Sequence, residues 1–306
     1  MDYLSLLINR VEIMFLIIVL GFVLRRSNFI DDSITTTMGD IMLKIITPLT
    51  IFVSFITEYS VDKVKLLGIS LLFSFALHII PILFSIIAFG KKHPIEMFTS
   101  TLGNVGFFGL AIALSMFGSE ASFYGAPFLA VNALAMWTFG EYAMSEGKAQ
   151  LNFKKIIKNF NVLAFILGLI FFFLRINIPQ VFKDTVSSLS NINSPVCGLI
   201  IGVGLAKTTL IKLKDDIFSI FAIISKLIII PLISAFILKF VSNDLFMMKI
   251  IYMILCSVPS ASAANVFAYV YKQDVSKASR IISISTLLCV LTMPLMTKFA
   301  YIIWGV

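Results

Sequence analysis

Charge is scarce in this sequence, and the motifs of several common enzyme classes are missing. Only 13% of the 306 residues are Asp, Glu, Lys or Arg, about half the share found in soluble globular domains. There is no G-x-x-x-x-G-K-S/T nucleotide-binding loop, no H-E-x-x-H zinc motif and no G-x-S-x-G nucleophile motif. We therefore predict that the protein is not an enzyme, requires no cofactor and binds no metal.

Cysteine is also scarce. Cys197, Cys256 and Cys289 are the three in the chain, an odd number, and each lies in an apolar stretch. None belongs to a C-x-x-C pair of the kind that binds metals or forms redox disulfides. We expect all three to be small packing residues rather than parts of a disulfide framework.

Apolar side chains take the place of the missing charge. Hydrophobic residues form 59% of the chain, more than a compact soluble protein of this size can hide from water. They fall into ten segments, centred near residues 16, 46, 77, 106, 131, 167, 198, 228, 256 and 290. The segments are too long and too uniformly apolar for β-barrel strands, and about 20 residues of helix span a bilayer. The predicted fold class is an all-α polytopic membrane protein with ten transmembrane helices.

The first segment and the basic residues predict an orientation. Residues 11–24 end at Arg25 and Arg26 without a small-residue cleavage pattern, so we interpret them as a span rather than a signal peptide. Alternate loops carry fourteen and seven of the 24 Lys and Arg residues, and three more lie within spans. Because cytoplasmic loops are enriched in Lys and Arg, the richer side is predicted to be cytoplasmic. With an even number of spans, both termini then face the outside of the cytoplasmic membrane. The net charge of +8 is interpreted as the excess of Lys and Arg in cytoplasmic loops, and no nucleic-acid partner is predicted.

The chain is predicted to be a single membrane domain, residues 1–306, made of two halves with five spans each. The longest polar loop, residues 145–159, separates spans one to five, residues 1–150, from spans six to ten, residues 151–306. An odd number of spans per half makes the second half enter the membrane from the opposite side. The halves are therefore predicted to form an inverted repeat, a common plan of secondary transporters.

Two spans contain residues that break helices. Residues 99–109 carry three glycines at three-residue spacing, and residues 256–265 carry a proline among small polar residues. A break at membrane depth is costly unless it lines a cavity, and the positive N-termini of half-helices favour anions. We predict that spans four and nine break and cross. Their candidate substrate-binding residues are Asn104, Gly103, Gly106, Pro259, Ser260 and Ser262. The alternative is that small residues allow close helix packing, which is the favoured interpretation of Gly198-x-x-x-Gly202 in span seven.

Ionisable residues within spans are costly and are candidates for coupling transport to an ion. Asp40 and Lys44 lie one turn apart, so a structural ion pair is favoured over a coupling site. His78 is a candidate proton carrier, with a hydrogen-bonded packing role favoured. Lys226 is equally consistent with pairing to a carboxylate and with snorkelling to the interface. We expect the two carboxylates near cytoplasmic helix ends, Glu96 and Glu141, to be solvated.

Four segments together resemble the auxin efflux carrier family, which belongs to the bile/arsenite/riboflavin transporter superfamily and includes bacterial permeases and plant auxin exporters. Residues 46–52 read Ile-Thr-Pro-Leu-Thr-Ile-Phe, and residues 100–110 contain Asn-Val-Gly-Phe-Phe-Gly. Residues 259–271 are similar to the family's ninth helix, and residues 285–294 read Ser-Thr-Leu-Leu-x-x-x-Thr-x-Pro. The resemblance extends over nearly the whole chain.

The resemblance implies two inverted five-helix repeats, with helices one, two, six and seven as a scaffold and the others as a moving transport domain. It also implies transport of an organic anion by an elevator-like motion, and a homodimer. Asn104 matches the family's substrate-site asparagine and Pro259 its ninth-helix crossover proline. Gly103 stands where plant members have proline. The plant members' long central loop is absent, and bacterial-like members are associated with small carboxylates such as malonate or malate rather than auxin.

Three other functions stay open. A channel-like facilitator would use the same helices, although the sequence has no carbonyl filter or acidic ring. A non-transporting membrane sensor or assembly subunit is the second, and the lack of an extramembrane domain to pass on a signal counts against it. A membrane-embedded enzyme is the most distant, since no nucleophile–base or metal constellation is present.

Overall fold

The computed structural model describes residues 3–149, 158–207 and 216–305, and these residues are almost entirely helical. No strand forms among them, apart from one isolated bridge between two residues. The all-α class predicted from the sequence is therefore confirmed for the described part of the chain. The predicted boundary between the two halves, at residues 150 and 151, lies outside the described residues.

Helices follow one another with short connections. The helices of the first stretch are α1 (Tyr3–Arg26), α2 (Asp32–Ile41), α3 (Thr47–Ser54), α4 (Val61–Phe89), α5 (Pro94–Thr101), α6 (Leu110–Phe117), α7 (Ser119–Ala135) and α8 (Glu141–Met144). The later ones are α9 (Phe160–Phe173), α10 (Gln180–Asn191), α11 (Asn193–Ala206), α12 (Ile217–Ile224), α13 (Ile230–Leu238), α14 (Phe246–Cys256), α15 (Ala263–Val270) and α16 (Val275–Trp304). Wider π-helical turns lie at Met42–Ile46, Val105–Gly109, Met136–Gly140 and Ser225–Ile229.

Six continuous helical stretches are long and apolar enough to cross a membrane. They are Tyr3–Arg26, Thr36–Ser54, Val61–Phe89, Gln180–Ala206, Ile217–Leu238 and Val275–Trp304. The helices α4, α7 and α16 continue through an internal proline, at Pro81, Pro127 and Pro294 respectively. The segments predicted around residues 106, 131, 167 and 256 are also helical, but they are shorter or interrupted. Ten spans and the inverted repeat therefore stay predictions.

The first of two compact units consists of Met1–Leu72, Gly106–Ala133 and Lys154–Lys207. Within it, α1 lies along α11, and α3 packs against α9. Glycines allow the approach of α1 to α11: a Cβ added at Gly21 would lie 2.9 Å from Leu199 Cα, and one at Gly198 would lie 2.8 Å from Ile17 Cγ2. Such distances are shorter than real contacts, so only glycine fits. The packing interpretation of Gly198 and Gly202 is confirmed.

The second unit consists of Phe73–Val105, Leu134–Phe153 and Thr208–Val306. Its centre is α14, in which every residue from Met248 to Cys256 is buried. The long helix α16 packs against α12, α13, α14 and α15, and Trp304 Nε1 near its end donates to Ala235 O at 2.9 Å. This unit contains both halves of the ninth predicted span and the first half of the fourth.

The cysteines are all buried, and none forms a disulfide. Cys197 lies in α11 of the first unit, whereas Cys256 and Cys289 lie in α14 and α16 of the second. Their expected role as packing residues is confirmed. The described residues also contain no cluster of His, Cys, Asp or Glu that would hold a metal ion.

Candidate substrate site at two broken helices

The chain leaves helical geometry at both predicted breaks. Helix α5 ends at Thr101, Leu102 is extended (φ −85°, ψ 123°), and helical turns resume at Val105. Helix α14 ends at Cys256, and α15 begins at Ala263. Glycine and proline explain the two interruptions, because Gly103 has no side chain to stabilise a helix and Pro259 lacks an N–H donor.

The two breaks lie side by side and bind each other's backbone. Gly103 and Ser260 form an antiparallel bridge. Asn104 N–H donates to Pro259 O at 2.9 Å, and Ala261 N–H donates to Leu102 O at 2.9 Å. Backbone groups freed at membrane depth must find partners inside the protein, and here each break supplies them to the other. The crossing of these two interrupted segments is thus present within the second unit.

Ser260 forms part of the buried interior of this crossing. Its side chain is fully buried, its Oγ donates to Thr99 O at 2.8 Å, and its N–H donates to Ser285 Oγ at 3.2 Å. Cys289 Sγ, one turn further along α16, lies 3.2 Å from Ser257 O. Through its hydroxyl and its backbone N–H, Ser260 therefore joins three segments of the protein, and its predicted contact with substrate stays untested.

A more accessible polar surface lies at the other side of the breaks. Asn104 is half-buried, and Ser262 is exposed at the N-cap of α15, where its hydroxyl makes no capping hydrogen bond. Asn265, in the first turn of α15, is half-buried and accepts from Ser279 Oγ at 3.0 Å. The N-terminus of a helix carries a partial positive charge. The crossing therefore presents amide, hydroxyl and N-terminal groups, all suited to an anion.

Lys226 lies against the buried side of the crossing. Its residue is 3% exposed, and its Nζ donates to Thr101 O at 3.4 Å. A Cβ added at Gly103 would lie 2.8 Å from Nζ and still closer to Val258 Cγ2. Gly103 therefore leaves the space that the lysine and the valine fill. Among the described residues no carboxylate pairs with Lys226, and a side chain this buried does not snorkel to the interface, so neither interpretation from the sequence is found.

This arrangement can be compared with known proteins. A family model described as a membrane transport protein matches residues 6–297. The chain belongs to the auxin efflux carrier family. A search of curated proteins gave no match. The protein is thus a membrane transport protein with several apolar helices, and its family is one of transporters rather than enzymes.

The remaining residues predicted for the site of this transport protein are Gly106, Asp40, Lys44 and His78. Gly106 belongs to the first unit, where a Cβ would meet no heavy atom within 4 Å. Asp40 and Lys44 form an ion pair at 2.7 Å with both side chains about half exposed, 54% and 53%. His78 Nδ1 lies 2.7 Å from Ser74 O, one turn earlier in the same helix. The favoured structural interpretations of the ion pair and the histidine agree with these contacts.

The expectation that Glu96 and Glu141 are solvated is wrong. Their residues are 1% and 3% exposed. Glu96, in the first turn of α5, forms an ion pair with Lys277 in the first turn of α16. Lys277 also pairs with Asp216 Oδ2 at 2.9 Å, and Asp216 caps α12 through Ser219 N–H at 3.1 Å. Although burial opposes it, hydrogen bonds from Lys277 and Ser219 lower the pKa of Asp216. The position of Glu96 near a helix end did not indicate its burial, because the starts of two other helices cover it only in the folded protein.

A cavity of about 560 Å³ in the first unit has no counterpart among the features predicted from the sequence. Two lysines and two carboxylates line it, Lys63, Lys183, Glu120 and Asp184. The lysines are already engaged, because Lys63 Nζ donates to Thr57 Oγ1 at 2.6 Å and Lys183 Nζ donates to the backbone oxygen of Ile56 at 3.4 Å. Balanced charge gives this cavity no preference for an anion. The crossing is therefore the better candidate for an anionic substrate.

Proposed function

We propose that the protein is a secondary transporter of a small organic anion, with a carboxylate as the substrate class. It would lie in the cytoplasmic membrane with both termini outside and work by elevator-like alternating access, as its family suggests. The observation that carries this proposal is the crossing of two broken helices in an apolar protein without nucleotide-binding motifs. Such breaks are the usual substrate sites of secondary transporters.

In this proposal the substrate carboxylate binds on the accessible side of the crossing. Asn104 would donate its side-chain amide, Ser262 its hydroxyl, and the N-terminus of α15 its partial positive charge. Gly103 and Pro259 would contribute by keeping the helices open, and Ser260 by joining the two breaks. Gly106 follows Asn104 closely in the chain and stays a predicted binding position.

Uptake of labelled carboxylates into proteoliposomes tests the function and the site together. Malonate and malate are the first probes, with Asn104→Ala and Pro259→Ala compared with the unmodified protein. Asn191→Ala is the matched control, because Asn191 is exposed at the end of α10. We expect uptake to fall for the two crossing variants and to persist for the control. Unchanged uptake in both crossing variants would contradict the site assignment. The absence of uptake of any carboxylate would contradict the proposed substrate class.

A counterflow assay distinguishes a carrier from the channel-like alternative. Vesicles are loaded with unlabelled substrate, and the entry of labelled substrate is followed. A carrier that alternates access is stimulated by substrate on the opposite side, whereas an open channel is not. The sensor alternative predicts thermal stabilisation by a ligand without any flux.

A further inference from the structure

Lys226 occupies an unusual position for a lysine in an apolar helix. It lies in the π-helical turn Ser225–Ile229 between α12 and α13, and its residue is 3% exposed. Turns of this kind occur often at functional sites, because they shift the residues that follow around the helix axis. The side chain does not reach solvent, so it is not the snorkelling lysine of a membrane interface.

The surroundings of the ammonium group carry partial negative charge. Nζ donates to Thr101 O, the carbonyl of the last residue of α5. Nζ also lies beside the second break, because a Cβ at Gly103 would be 2.8 Å from Nζ and still closer to Val258 Cγ2, and Val258 follows Cys256, the last residue of α14, by two positions. The C-terminus of a helix carries about half a negative charge. Lys226 therefore lies where two half-helices end.

Among the described residues, Lys226 forms no ion pair with a carboxylate. A buried ammonium group is costly unless a negative group compensates it. Here the helix ends are the negative groups, and an unneutralised pair of them would repel an anion held at the N-terminus of α15.

In other secondary transporters, unwound carbonyls and half-helix C-termini are the groups that coordinate a coupling sodium ion. We propose that the ammonium group of Lys226 takes that place in this protein, so that the crossing is a complete anion site without a bound sodium ion. The inference rests on the proposed function, since it concerns the same crossing. It makes Lys226 a positioning residue that supplies the site's fixed positive charge without contacting the substrate.

Thermal unfolding of the purified, detergent-solubilised full-length protein tests this without any knowledge of the substrate. Melting is measured in sodium, potassium and choline chloride at one ionic strength. The variants are Lys226→Ala, which removes the charge and opens space, and Lys226→Met, which removes the charge and keeps most of the volume. Ethylammonium chloride is added to the alanine variant, since this cation reproduces the lost end of the lysine.

We expect the unmodified protein to melt at the same temperature in all three salts. Both variants should melt several degrees lower, and Lys226→Ala should recover with sodium or ethylammonium but not with choline. A saturable stabilisation of the unmodified protein by sodium alone would overturn the proposal, because a separate sodium site would then exist. Full stability of Lys226→Met, or recovery of Lys226→Ala with neither cation, would also overturn it, since charge would then be unimportant.

The proposed function fails by a different result. If no carboxylate is transported while the cation responses are as expected, the transport assignment is wrong and the role of Lys226 in the fold stands. If carboxylates are transported only with sodium, the function stands and the inference about Lys226 is wrong.

Discussion

Substitution of Gly202 by alanine should weaken the packing of α1 against α11. A Cβ at this position would lie 2.7 Å from the backbone nitrogen of Phe22 and still closer to the carbonyl oxygen of Ile18. Both are backbone atoms of α1, so no side-chain rotation relieves the overlap. An ordinary contact begins at 3.4 Å, so the Phe22 contact alone requires α1 to move away by about 0.7 Å, the difference between the two distances, and the closer Ile18 contact requires more.

The size of the effect follows from this displacement. A gap of roughly 0.5–1 Å removes a quarter to a half of the dispersion energy of the contacts that it separates. Overpacking of this kind costs about 1–3 kcal/mol, whereas alanine in place of glycine within a helix contributes about 0.5–1 kcal/mol of stability. We expect Gly202→Ala to be destabilising by about 1–2 kcal/mol in net terms.

Gly204→Ala is a matched control in the same helix. Gly204 is exposed, and a Cβ there would meet no heavy atom within 4 Å. This variant should be neutral or more stable by up to about 1 kcal/mol. Unfolding can be followed with a thiol-reactive maleimide dye, because all three cysteines are buried in the folded protein. Equal melting temperatures for the two variants would refute the close approach of α1 and α11.

Three further predictions concern the second unit. Gly103→Ala should lower stability and transport. Val258→Ala in the same chain should restore part of the loss, because the added methyl group then enters the space that the valine side chain vacates. Additive effects in the double mutant would contradict this. Glu96→Gln should lower the free energy of unfolding, and with it the melting temperature. The loss should be smaller than the ~3–5 kcal/mol that a fully orphaned buried charge costs, because Asp216 still pairs with Lys277. The lowered pKa of Asp216 means that its stabilisation is present above about pH 4 and is lost as the pH falls further. Asp216→Asn should therefore flatten the acid side of the stability profile, whereas Asp62→Asn, whose carboxylate is 93% exposed, should leave that profile unchanged.

Much of the fold followed from local properties of the sequence. Apolar composition predicts helices in a membrane because the bilayer leaves few other ways to satisfy the backbone. Gly103 and Pro259 predict breaks because their own covalent structure disfavours helix. The packing role of Gly198 and Gly202 followed from four-residue spacing, which places both on one helix face.

The roles of several polar side chains did not follow from the sequence. Lys226 and its acceptor are separated by 125 positions, and Ser260 and its acceptor by 161. Nothing in the neighbouring residues of either one indicates the partner. Glu96 shows the same difficulty, because its burial depends on Lys277 at the start of a distant helix.

The sequence by itself determined that this protein is a helical membrane protein, that two of its segments are interrupted, and that its family is one of transporters. Hydropathy, glycine, proline and motif spacing are read along the chain, and no long-range contact is needed to interpret them. Only the tertiary structure decided that the two interruptions bind each other, that Ser260 is engaged within the crossing, and that Lys226 lies at the ends of half-helices. Those facts depend on which distant segments meet, since a buried charge or hydroxyl is stabilised by whatever group the fold brings to it.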